Sequence, residues 1–171
     1  LCALAIARDL GVSWDNIARA LAKYRLTGRR FEHMGDAEGV AIYHDYAHHP
    51  AEIATCLEGA KSVCSGKLWA LFQCNSYSRA KTLFSNDVTC FASADAVLVP
   101  DIVPGREVDD GSVHARDMVA AINAGEGREK AVDIPTFEEM AAYLRQQWQT
   151  GDMVVTLGSG DEYAQTPKLY R

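Results

Sequence analysis

Three polar segments of this sequence concentrate side chains that could bind anions, move protons or hold a nucleotide. His44-Asp45-Tyr46-Ala47-His48-His49-Pro50 brings together a carboxylate, a phenol and imidazoles. Gln73-Cys74-Asn75-Ser76-Tyr77-Ser78-Arg79 offers a thiol, amides, hydroxyls and a guanidinium, and Asp101-Ile102-Val103-Pro104-Gly105-Arg106-Glu107 adds further charge. A fourth, Gly158-Ser159-Gly160-Asp161, is a tight loop able to present backbone N–H groups to an anion.

Asp45, His48, His49 and Glu52 are metal-ligand types, but Ile53 breaks both H-E-x-x-H and H-x-x-E-H, so no metal is expected. A helix-capping or substrate-contacting role suits one of the two histidines better. Cys74 with His48 could make a nucleophile and base, yet nothing in the sequence activates the thiol and no G-x-S-x-G elbow is present, so a hydrolase is not expected. Gly158-Ser159-Gly160 lacks the third glycine of a dinucleotide loop, since position 163 is Tyr163. Gly66-Lys67 has Lys61 and Leu68 where a phosphate loop needs glycine and Ser or Thr.

The elements that position these segments are read from periodicity. Leu1–Asp9 and a helix capped by Ser13, with Trp14, Ile17, Ala18 and Leu21 at helical spacing, come first. A basic turn, Thr27-Gly28-Arg29-Arg30, leads to a hairpin of Phe31–Met34 and Val40–His44. Strands then alternate with helices: Leu68–Phe72, Ala96–Val99, Ala131–Ile134 and Met153–Leu157. Between them lie helices starting at Pro50 and about Arg79, and helices capped by Ser112 and by Thr136, the last with Glu139 completing a capping box. The second of these is expected to bury Ala80, Leu83, Phe84, Val88 and Phe91. Continuously apolar strands such as Leu68-Trp69-Ala70-Leu71-Phe72 require burial on both faces. The expected fold is therefore a doubly wound α/β sheet of six mostly parallel strands with one antiparallel hairpin strand and helices on both faces. Ligands in such sheets sit beyond the carboxyl ends of the strands, where the polar segments lie.

With 171 residues, 48% apolar and 23% charged, the chain has the composition of a globular domain. A net charge of -6 argues against a nucleic-acid partner, and no apolar run approaches the length of a membrane span. Five scattered cysteines without a C-x-x-C pair fit a reducing compartment. The chain opens at Leu1 inside a helical pattern, so a fragment of a longer protein is expected.

Five blocks in order resemble the C-terminal part of the Mur ligases: Gly28-Arg29-Arg30-Phe31-Glu32; Asp45-Tyr46-Ala47-His48-His49-Pro50-Ala51-Glu52; Phe72-Gln73 to Tyr77-Ser78-Arg79; Asp101-Ile102 to Arg106-Glu107; and Leu157-Gly158-Ser159-Gly160-Asp161. Within the family they are most similar to the branch that adds L-alanine to UDP-N-acetylmuramate. The resemblance implies a Rossmann-like C-terminal domain over 28–171, with 1–27 as the tail helices of a central ATPase domain whose phosphate loop and Mg2+ ligands precede this chain. It implies a cytoplasmic bacterial enzyme of peptidoglycan synthesis that uses ATP, Mg2+, L-alanine and UDP-N-acetylmuramate, and whose N-terminal and central domains partner this one. It assigns Arg30 to the ATP and Asp45 to its ribose, and Tyr46, His48 and Arg79 to the pocket for the amino acid and an acyl phosphate. A murein tripeptide recycling ligase, or a binding module of the same fold without catalysis, are the alternatives. The family pattern Phe-Gln-Pro-His is met here by Phe72-Gln73-Cys74-Asn75, and Val103 stands where tyrosine is common.

Overall fold

The computed structural model describes residues 2–24, 27–86 and 88–171, the side chains of 83–86 excepted. Leu1, expected to open the first helix, and the side chains of Leu83 and Phe84, expected on a buried face, lie outside what is described. Helices α1 (Cys2–Asp9) and α2 (Trp14–Lys23) precede the hairpin of β1 (Glu32–Ala37) and β2 (Val40–Asp45). Then follow α3 (Pro50–Val63), β3 (Leu68–Phe72), α4 (Tyr77–Asn86), a 3-10 turn (Val88–Phe91), β4 (Ala96–Val99) and α5 (Ala115–Glu126). The chain closes with β5 (Ala131–Asp133), α6 (Phe137–Gln147), β6 (Met153–Leu157), a short α7 (Glu162–Gln165) and a second 3-10 turn (Thr166–Leu169).

Among the described residues the sheet has six strands in the order β1-β2-β6-β3-β4-β5, with only the β1–β2 pair antiparallel. Period-2 alternation splits the inner strands between two cores. Leu68, Ala70 and Phe72 meet Ile53, Leu57, Met118 and Ile122 of α3 and α5 on one face. Trp69 and Leu71 meet Phe137, Met140 and Leu144 of α6, with Leu169, on the other. The chain moves outward from β2 to β5 with α3 and α5 on the first face, then returns to β6 with α6 on the second, as right-handed crossovers demand.

Three local expectations are corrected. Ser112 does not cap α5: Asp110 accepts both its N–H and its hydroxyl, and His114 takes the N-cap position, its N–H donating to Asp117 at 2.8 Å. The helix expected from Arg79 starts at Tyr77, and Val88 and Phe91 belong to a separate 3-10 turn. In α2 only Ile17 of the apolar stripe is buried; Trp14 and Leu21 are exposed. Ser13 and Thr136 cap as expected, accepting from Asn16 and Glu139.

A buried carboxylate fixes the lower edge of the sheet. Asp152 is 6% exposed and accepts from the Lys67 N–H at 2.8 Å, the Gln149 N–H at 3.0 Å and the Trp69 indole at 3.1 Å. Removing it strands three donors, two of them ahead of β3 or on it. Asp152→Ala is expected to lower unfolding free energy by about 3 kcal/mol in urea titrations.

Candidate functional site

Asp45 ends β2 and is almost completely buried. Its Oδ2 accepts the Phe31 N–H at 2.7 Å and its Oδ1 the Ala47 N–H at 2.8 Å, which pins the turn before β1 and the loop after β2 to one carboxylate. Phe31 has φ 43°, a left-handed backbone that this bond and its stacking on Tyr43, ring centroids 4.5 Å apart, hold in place. Asp45 and Arg30 line a surface cleft of about 400 Å³ together with Ala51, Glu52, Thr55 and Cys56. Burial, with Asp45 beside it, pushes the Cys56 thiol up to about 12.

Tyr46 and His48 lie together, ring planes nearly perpendicular and 5.4 Å apart. His48 Nδ1 is 3.0 Å from the Tyr46 carbonyl, which can only accept, so Nδ1 is the donor. His49 has a different duty: it is the N-cap of α3, its ring accepting from the Ala51 N–H, while Glu52 accepts from the backbones of His48 and His49. Those two bonds hold the Glu52 carboxyl below its ordinary range. The adjacent histidines are thus divided: His49 caps α3, and His48 lies against Tyr46.

Across β6, the second polar segment closes on the glycine loop. Asn75 Nδ2 and Arg79 Nη1 both donate to the Ser159 hydroxyl at 3.3 Å. A Cβ on Gly160 would lie 2.5 Å from the Asn75 amide oxygen, so glycine is what allows this approach. The third segment serves mainly as a brace. Val103 bridges to Asn75, its N–H donating to the Cys74 carbonyl and its carbonyl accepting from Ser76. Glu107 accepts from the Ser78 N–H at 2.9 Å and hydroxyl at 2.5 Å, bonds that depress its pKa. Arg106 stays exposed. Cys74 is buried, its thiol pushed up to about 12 by burial, and so is a neutral packing group.

Between these halves lie groups to which no sequence motif assigns a role. Arg29, φ 64°, places its guanidinium 4.9 Å from the Tyr46 ring and 5.1 Å from that of Tyr163. Its Nη2 donates to the Gly160 carbonyl at 2.9 Å and pairs with Glu162 at 3.4 Å. Glu162 is fully buried; burial raises its pKa, and both its oxygens accept from the Gly160 N–H. His44, also fully buried, bonds Thr156 through Nδ1 and lies edge-on to Tyr163. Arg30, by contrast, is exposed and lies 5.5 Å from the Tyr46 ring. Two adjacent arginines look alike in a sequence, and the partner that separates them, Glu162, lies more than a hundred residues away.

Of the residues singled out in the sequence, Arg30 and Asp45 share the cleft, Tyr46 and His48 share a loop beside it, and Arg79 reaches them through the 158–160 loop. The family described as Mur ligase, glutamate ligase domain, matches residues 29–160. This chain belongs to the Mur ligase C-terminal domain family. The UDP-N-acetylmuramate–L-alanine ligase of Acetivibrio thermocellus is 36% identical over 163 residues, 95% of this chain and 34% of that protein. That of Caldanaerobacter subterraneus is 38% identical, with 95% and 35% covered. The chain therefore spans about a third of the length of the curated relatives it matches. Among solved structures, a Thermotoga maritima UDP-N-acetylmuramate-alanine ligase superposes with TM-score 0.73 at 23% identity, over 97% of this chain and 34% of that one. A murein peptide ligase from Psychrobacter arcticus gives 0.68 at 22%, over 98% and 34%. Both bear out the expected fold: a mostly parallel sheet of Mur ligase C-terminal type.

Burial, reinforced by Arg29, lowers the His44 imidazole from 6.5 to about 4. The unfolded chain then binds the extra proton, so this contribution is complete above pH 6.5 and is lost as pH falls through 6.5 toward 4. It is worth up to roughly 3 kcal/mol. Unfolding free energy measured from pH 7 to 4.5 should fall less steeply in His44→Asn, which cannot ionise, than in the parent.

Proposed function

We propose that this chain is the C-terminal domain of an ATP-dependent amide-forming ligase that joins L-alanine to UDP-N-acetylmuramate. The observation that carries this is relatives of that name, 36–38% identical, matching almost the whole chain. In this reading residues 28–171 form the domain and 1–27 are the tail helices of a preceding ATPase domain. Exposed Leu10, Trp14, Leu21 and Tyr24 on α1, α2 and the residues next to them support that division, because the sheet domain leaves them uncovered. No helix among the described residues is long and apolar enough to cross a membrane. A nucleotide-linked substrate and ATP fit a cytoplasmic setting.

ATP supplies a phosphoryl group that turns a carboxylate oxygen of the lactyl group into part of a leaving group. The L-alanine amine then attacks the acyl carbon, the C–N bond forms and the C–O bond to phosphate breaks. The catalytic task is to hold an anion and an amine in line beneath cationic groups. Arg30, exposed at the cleft, is the cation for the ATP phosphates. Asp45 retains lone pairs beyond the two it gives to backbone N–H groups, and these suit the vicinal hydroxyls of the ribose. In this reading Tyr46 and His48 serve the amino-acid side, and Arg79 matches the L-alanine carboxylate or a phosphate oxygen. The donor set fits a nucleotide and an anion; the phosphate loop and the Mg2+ ligands belong to the preceding domain.

ADP release by the full-length protein tests this. With UDP-N-acetylmuramate and L-alanine, turnover is expected, whereas the 171-residue chain alone folds, binds nucleotide weakly and releases none. Turnover by the chain alone, or with a free tripeptide but not with L-alanine, contradicts the proposal. Arg30→Met and Arg79→Met should each lower kcat/KM at least about a hundredfold. Asn75→His restores a group that can be cationic beside Ser159 and is expected to shift the relative rates for L-alanine, L-serine and glycine. Unchanged rates would make that departure neutral.

A further inference from the structure

We infer that Arg29 is a positioning residue that holds Tyr46 and the Gly158–Gly160 loop in one register, so that the nucleotide side and the amino-acid side of the site act as a unit; this rests on the function proposed above. Arg29 is gripped from several directions. Its N–H donates to Glu32 at 2.6 Å, and its carbonyl accepts the Tyr46 N–H at 2.8 Å. Its guanidinium covers the Tyr46 ring and donates to the Gly160 carbonyl at 2.9 Å. The same loop carries Ser159, which accepts from Asn75 and Arg79. A continuous chain of contacts therefore runs from Tyr46 through Arg29, Gly160 and Ser159 to Arg79.

Charge divides the adjacent arginines. Arg29 is neutralised by Glu162, a fully buried carboxylate, and lies near the rings of Tyr46 and Tyr163, so its position is set by the protein alone. Arg30 faces solvent at the cleft. Arg29 thus has no part in holding ligand directly, and Asp45 keeps its place without it, through the Phe31 and Ala47 N–H groups. Losing Arg29 should leave nucleotide binding nearly intact and spoil the relative placement of the two reacting partners, which appears in kcat.

The test uses the full-length ligase with Arg29→Met, Arg29→Lys and the paired Arg29→Met/Glu162→Gln. The paired variant removes both charges, so that neither is left buried alone. Thermal unfolding is followed alongside. In the paired variant kcat for L-alanine should fall about tenfold or more, with KM for ATP changed less than about threefold. Arg29→Lys, which keeps the charge opposite Glu162 but not the planar fork, should recover part of the loss. Combined with Tyr46→Leu, the Arg29 change should cost little further, because both act through one placement. Undiminished kcat in a folded variant overturns the inference, as does an additive cycle or a loss of kcat that follows melting temperature alone. An inactive parent enzyme would instead overturn the proposed function.

Discussion

The insertion of β6 between β2 and β3 is the constraint on which the rest of the molecule depends. Val154, Val155 and Leu157 are wholly buried, and the strand pairs along its full length with both neighbours. Leu157 is level with Asp45 on one side and with Phe72 on the other. Two loops far apart in sequence therefore leave the sheet at one height, and the glycine loop emerges between them. The Gly158 N–H donating to the Asp45 carbonyl and the Gln73 N–H donating to the Leu157 carbonyl extend the ladder just past the strands. A slip of one residue would reverse the facing of every side chain in β6 and separate the loops.

Beyond that edge, charge is sorted by depth. Asp45 spends its buried carboxylate on backbone N–H groups, and Glu162 spends its own on Gly160 and Arg29. These are satisfied internal contacts, the condition under which buried charge is tolerated. Toward solvent lie Arg30 and, across the loop, the half-buried Arg79, with Arg106 exposed on the third segment. A chain with net charge -6 can thus present locally positive groups to an anionic ligand without a basic surface.

Much of the fold was legible because its signals are local. Four mostly apolar runs and a hairpin located the strands, and Thr136 with Glu139 marked a helix start. Ser112 misled because Asp110, two residues earlier, takes up its N–H and its hydroxyl, and the helix begins two residues later behind His114. In the site, residue type and family resemblance pointed to Arg30, Asp45, Tyr46, His48 and Arg79. They gave no role to Arg29 or Glu162, since the pairing of these two depends on contacts spanning more than a hundred residues. The order of strands was equally hidden: nothing in Met153–Leu157 announces that it lies in the middle of the sheet.

The most direct test of the central claim, that the carboxyl edge of this sheet receives the nucleotide and the amino-acid side of one reaction, is a crystal structure of the full-length protein with a non-hydrolysable ATP analogue and UDP-N-acetylmuramate. The account predicts Arg30 within hydrogen-bonding distance of a phosphate, Asp45 at the ribose hydroxyls, and the lactyl carboxylate between them and Arg79. A nucleotide with no contact to the loops after β2 and β6, or a lactyl group far from Arg79, would contradict it.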